Sequence, residues 1–137
     1  MQLSNTSQYA IRVLSYIANI NDTKLCSAKE LSQMLDIPYK FLTKIMTQLV
    51  KAEFIISVQG REGGYKLAKP ASNISVIDIL NEFNEQINNQ QCLLGIGMCD
   101  GKNRCSLHDQ WAEPKKLIKK MFENSTLESI KGENFKL

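Results

Sequence analysis

Three cysteines and one histidine fall close together as Cys92, Cys99, Cys105 and His108, in the pattern C-x6-C-x5-C-x2-H. Thiolates are soft metal ligands, and His108 is the only histidine of the 137 residues. The stretch Leu93-Leu94-Gly95-Ile96-Gly97-Met98 carries two glycines, so its backbone can wrap a site several ångströms across. An iron-sulfur cluster or zinc suits these donors. Zinc knuckles draw paired ligands from short C-x2-4-C turns, which these wider gaps fit poorly, so a cluster is favoured over zinc. The competing reading leaves the thiols unligated and makes His108 a capping or surface residue; three such thiols exposed in a cytosol would be readily oxidised. Cys26 stands alone after Leu25 and reads as a small buried hydrophobe.

Elements that position such a loop can be read from periodicity. Tyr9, Ala10, Val13, Leu14, Tyr16 and Ile17 recur at helical spacing, with a cap among Ser4, Asn5, Thr6 and Ser7. Ser27-Ala28-Lys29-Glu30 has the form of a capping box and opens a short amphipathic helix through Leu31 and Met34, ended by Leu35-Asp36-Ile37-Pro38. A third helix is predicted from about Tyr39 to Ala52, with Phe41, Leu42, Ile45, Leu49 and Val50 as its apolar stripe. Residues 54–58 and 64–68 read as strands around the glycine-rich tip Gln59-Gly60-Arg61-Glu62-Gly63. Ser75 is a plausible cap for a helix through Ile77, Ile79 and Leu80. Residues 88–103 lack periodicity and read as a loop. Trp111, Leu117, Ile118, Met121 and Phe122 then lie on one stripe of a final helix. Pro114 requires that helix either to begin near Glu113 or to tolerate a proline inside it.

Three helices followed by a two-stranded hairpin make a winged helix-turn-helix. The expected fold class is therefore mainly α with a small β-hairpin wing, plus a long C-terminal helix. The expected division is 1–87 for the DNA-binding domain, 88–108 for the cysteine loop, 109–130 for the final helix and its end, and 131–137 for a flexible tail. On the polar face of the third helix, Tyr39, Lys40, Thr43, Lys44 and Thr47 could meet base edges and phosphates, with Ser27 at the start of the second helix. Taken alone, that face is an ordinary solvated helix surface. The wing shifts the balance, because Arg61 could grip a phosphate or enter a minor groove while Gly63 allows close backbone approach.

Composition is compatible with this reading. The net charge is +3, and the basic excess sits in residues 1–70, with nine Lys/Arg against five Asp/Glu. No apolar run is long enough to span a bilayer and the first residues lack the features of a signal peptide, so a cytoplasmic protein is expected. The chain offers no nucleotide-binding glycine fingerprint and no paired acid and base groups, which argues against an enzyme. A small iron-sulfur redox protein and a cluster-free, thiol- or zinc-dependent DNA-binding module remain as rival classes.

Several segments together resemble the Rrf-two family of bacterial transcription regulators over nearly the whole chain. They are Ser7-Gln8-Tyr9-Ala10, Ile37-Pro38-Tyr39-Lys40-Phe41-Leu42, Gly60-Arg61-Glu62-Gly63-Gly64-Tyr65-Lys66-Leu67, Cys105-Ser106-Leu107-His108-Asp109-Gln110-Trp111 and Asn124-Ser125-Thr126-Leu127. The resemblance implies a homodimer joined through the final helix, bound to a palindromic double-stranded operator. It also implies a cluster on Cys92, Cys99 and Cys105 whose state changes DNA affinity or sequence choice. In one branch of the family a histidine just beyond the last cysteine completes a 2Fe-2S site, and His108 occupies that place. In another branch a carboxylate near the start of the partner chain completes a 4Fe-4S site, where this chain has Gln8. The resemblance thus favours 2Fe-2S over 4Fe-4S.

Overall fold

A computed structural model describes residues 2–20, 24–85, 92–99, 101–102 and 104–131. The first helix, α1 (Asn5–Asn19), is capped by Ser4, whose hydroxyl accepts from the Ser7 N–H, and it buries Ala10, Ile11, Val13, Leu14 and Ile17. α2 (Ala28–Leu35) and α3 (Tyr39–Lys51) follow, and the turn between them is closed by Asp36 in the left-handed conformation at φ 51°. An aspartate tolerates that conformation better than most residues. Ser32 donates to the Ile37 carbonyl at 2.6 Å, and Arg12 of α1 donates to the Leu35 carbonyl at 2.6 Å, so the turn is held from both sides.

The anticipated capping box at α2 forms only in part. Ser27 accepts from the Glu30 N–H at 3.1 Å, while the Glu30 carboxylate pairs with Lys24 at 3.3 Å. Two further expectations are corrected. Phe41 and Met34, assigned to apolar stripes, are 58% and 62% exposed; α3 instead buries Leu42, Ile45, Met46 and Leu49, and α2 buries Leu31.

β1 (Ile55–Val58) and β2 (Gly64–Leu67) pair antiparallel with Val58 opposite Gly64, one residue shorter at the base than periodicity suggested. The hairpin is tied to the helices by Cys26, which exchanges both backbone hydrogen bonds with Tyr65, at 3.1 and 2.8 Å. Cys26 is fully buried, and burial, followed by the charge of Glu30, pushes its thiol up to about 11. The thiol is therefore protonated near neutrality. Iodoacetamide is expected to leave Cys26 unmodified in the native protein and to label it after denaturation, which peptide mass mapping would check.

A short 3-10 turn (Ala71–Asn73) leads into α4 (Val76–Glu82), capped by Ser75, and α5 (His108–Asn124) is continuous through Pro114. Of the two options for Pro114, the structure adopts the helix with an internal proline. α6 (Leu127–Ile130) had no periodic signal. It opens on a full capping box between Thr126 and Ser129, and it returns to the core: the Val76 N–H donates to the Ser125 carbonyl at 2.8 Å and the Leu127 N–H to the Ile74 carbonyl at 2.9 Å. Leu127 is fully buried in the common hydrophobic core, where α6 packs on α1 and the 3-10 turn. The α5 stripe divides, with Ile118 and Phe122 resting on this core while Leu117 and Met121 are 58% and 54% exposed. The predicted flexible tail beyond Lys131 lies outside the described residues.

After α4, Glu85 folds back onto the start of α1. Its carboxylate accepts from the Ser4 N–H at 3.2 Å, from the Ser4 hydroxyl at 2.7 Å and from the Ser7 hydroxyl. Burial pushes the Glu85 pKa up, but the hydroxyls of Ser7 and Ser4 and the Ser4 N–H outweigh it, and the group titrates below the ordinary glutamate value. A carboxylate whose folded pKa is depressed contributes stability that is complete above its unfolded value and is lost as pH falls through the folded one. Thermal melts of the wild type and Glu85→Gln are accordingly expected to differ at neutral pH and to converge in acid below the glutamate range.

Candidate nucleic-acid interface and thiol cluster

With α3 packed by Leu42, Ile45, Met46 and Leu49, the opposite face is set by helical geometry. Lys40, Lys44, Thr47 and Lys51 follow one another at steps of four, three and four, and all four are exposed. Thr43 lies beside them, half-buried, and Tyr39 at the helix start is 56% exposed. Lys51 was missed in the sequence, although its spacing from Lys44 and Thr47 places it on the same stripe. Gln48 flanks the face and donates its amide to the Glu82 carbonyl at 2.8 Å. Ser27 is exposed at the start of α2, with its hydroxyl engaged as the cap.

Arg61 is exposed at the wing tip. Gly63 is required there for packing, since a Cβ would lie 2.2 Å from the Val58 carbonyl oxygen; Gly60 sits at φ +116°, a conformation that side chains disfavour. The wing thus presents a tight tip whose backbone can come close to a duplex.

The described part of the cysteine loop brings the four predicted ligands into two pairs. The Cys99 sulfur lies 3.2 Å from Nδ1 of His108. The Cys105 thiol, together with backbone N–H groups of Ile96, Leu94 and Gly95, holds the Cys92 pKa below the ordinary thiol value, and the Cys92 thiol raises that of Cys105. Among the described residues, no three His, Cys, Asp or Glu side chains gather as a metal site. Cys92 is buried, and Cys99, Cys105 and His108 are half-buried at the N-terminal end of α5. Around them Leu93, Leu94, Ile96 and Met98 are exposed. The donor set, three thiols and an imidazole with peptide N–H groups turned to one sulfur, has the chemistry of an iron-sulfur site, in which N–H···S bonds tune the potential. Near the start of α1, Gln8 donates to the Leu3 carbonyl at 2.7 Å.

A winged helix-turn-helix with a basic recognition face defines a DNA-binding transcription regulator. The Rrf2 family profile, described as an iron-dependent transcriptional regulator, matches residues 3–133. A curated HTH-type transcriptional regulator of Aquifex aeolicus (strain VF5) is 33% identical over 132 residues, covering 95% of this chain and 91% of the relative. The HTH-type transcriptional regulator NsrR of Oceanobacillus iheyensis is 30% identical over 131 residues, covering 95% and 89%. The chain belongs to the Rrf2 family of transcriptional regulators, and it is a regulator rather than an enzyme. Among solved structures, CymR (YrzC), the global cysteine regulator of B. subtilis, superposes with a TM-score of 0.80 at 19% identity over 95% of both chains. T. potens IscR gives 0.73 at 21% identity over 95% of this chain and 85% of its own. Both confirm the winged-helix fold. No helix among the described residues is long and apolar enough to cross a membrane.

Proposed function

We propose that this regulator is a cytoplasmic homodimer that grips a palindromic operator through α3 and the wing, and that its DNA affinity or sequence choice is controlled by an iron-sulfur cluster held by Cys92, Cys99, Cys105 and His108. The observation that carries the proposal is the donor set itself: three thiols and the sole histidine at one end of α5, with the Cys99 sulfur 3.2 Å from the His108 ring and Cys92 and Cys105 perturbing each other's titration. An imidazole as fourth ligand favours 2Fe-2S over 4Fe-4S. Bound there, such a cluster would supply a redox-active centre open to oxidants and nitric oxide.

The chain's own residues supply the rest. Ligation by Cys92, Cys99 and Cys105 would fix these three thiols against His108 at the foot of α5. Leu117 and Met121, exposed on a protomer, would be covered by α5 of a second copy. Tyr39, Lys40, Thr43, Lys44, Thr47 and Lys51 would enter a major groove, with Ser27 and Arg61 against the backbone or minor groove and Gly63 keeping the tip slim. In a symmetric dimer the half-sites would lie roughly 34–36 Å apart.

Anaerobic reconstitution followed by iron and sulfide counting tests the reading. The expected result is about two irons per chain for the wild type, with an absorption spectrum altered in His108→Ala. Four irons indifferent to His108 would move the assignment to a 4Fe-4S site. A protein that holds zinc, or no metal at all, would leave the thiol-dependent alternative. The Cys92 and Cys105 thiols, which shift each other's pKa, would then be the first pair to examine for disulfide formation.

A further inference from the structure

The recognition face is short of side chains with a free donor-acceptor pair. α3 contains no arginine and no asparagine, and its one glutamine, Gln48, donates to Glu82. Arg12, the one arginine of α1–α3, is committed to the Leu35 carbonyl. Beyond the Tyr39 hydroxyl at the helix start, two outward threonines remain, and both turn their hydroxyls back along their own helix: Thr43 donates to the Lys40 carbonyl at 3.0 Å and Thr47 to the Thr43 carbonyl at 2.9 Å. A helical threonine bonded in this way leaves its methyl turned across the surface.

We propose that Thr43 and Thr47 read thymine through contacts between their methyl groups and the thymine 5-methyl, so that this regulator selects A·T-rich half-sites. The inference rests on α3 being the recognition helix. Thymine is distinguished in the major groove by its 5-methyl group, which apolar side-chain atoms recognise; bidentate reading of guanine or adenine requires Arg, Asn or Gln, or a lysine used for bases. Lys40 and Lys44 are flexible point charges that suit phosphates. Arg61, exposed at the wing tip, agrees with the same preference, because A-tracts narrow the minor groove and attract arginine there.

The test is selection of duplexes from a random pool by the full-length protein, in apo and anaerobically reconstituted forms, followed by replacement of each half-site thymine with deoxyuridine, which removes only the 5-methyl. At one or two thymines per half-site, uracil should weaken binding about fourfold, the value of one buried methyl. Thr43→Ser and Thr47→Ser, which keep the hydroxyl and lose the methyl, should weaken binding similarly and lose the thymine-uracil difference. Thr43→Val and Thr47→Val should retain both. Uracil without effect at every half-site position, or valine as damaging as serine, would overturn methyl reading while leaving α3 as the DNA-contacting helix. Selection that enriches no sequence, or specific binding unchanged by Lys40→Ala and Lys44→Ala, would instead overturn the assignment of α3 and the inference with it.

Discussion

Lys40→Ala/Lys44→Ala is expected to lower operator affinity by on the order of a hundredfold and to flatten its dependence on salt, by about one unit of log-log slope per lysine and half-site. Both lysines are exposed on the face of α3 that points away from the core, one turn apart. Their contribution to protein stability is correspondingly small, so a loss of binding would report the interface rather than unfolding. Cations that neutralise phosphates act by releasing condensed counterions, and that entropy gain shrinks as bulk salt rises. Removing them should therefore weaken all sequences nearly uniformly, in contrast to the threonine substitutions, which should alter the ranking of sequences. Adding Lys51→Ala should flatten the slope further. Fluorescence anisotropy titrations at several salt concentrations check both numbers, and a slope unchanged by the double substitution would remove these lysines from the interface.

Leu127→Ala should destabilise the protein by about 2–5 kcal/mol, the range for emptying a buried leucine site. For a chain of this size that corresponds to a fall in Tm of roughly 10 °C or more. Leu127 is fully buried, and its N–H is fixed to the Ile74 carbonyl, so the surrounding core has little freedom to collapse into the cavity. Leu117 on α5 provides the contrast. It is 58% exposed, and Leu117→Asp should leave secondary structure intact while dissociating the proposed dimer. Circular dichroism melts together with light scattering separate the two effects. A small loss of Tm for Leu127→Ala would mean that α6 is not part of the cooperative unit.

Much of the first 80 residues was legible because α1, α3 and the hairpin carry their own periods and their own turn residues. Phe41 and Met34 misled because they sit at the edges of apolar stripes, where helical spacing alone does not distinguish the side that meets the core. α2 is only eight residues long and buries Leu31 alone, so Leu31 and Met34 could not by themselves define a face. α6 and its pairing beside Ser75 were invisible to periodicity, since four residues make no repeat and the partner is some fifty positions away. In the thiol site, the four residues were legible from type and spacing. The approach of Cys99 to His108 was not, because it depends on the path of the chain between them rather than on a repeat. Lys51 had the spacing to be found, but its place at the end of α3 made it look like a helix terminus.

The return of the chain at Leu127 gives α5 a pivot. Seventeen residues of helix span about 25 Å, and the far end is moored by Leu127, with Ile118 and Phe122 seated on the core partway along. The opposite end begins at His108, beside the sulfur of Cys99. From the seat at Ile118 back to His108 the free arm is about 15 Å, so a tilt of ~5° at that seat displaces the thiols by ~1 Å, and the arm also works in reverse. An event among the cysteines would thus arrive at the helix-turn-helix reduced in amplitude but increased in force, as an oar's long arm does at the rowlock.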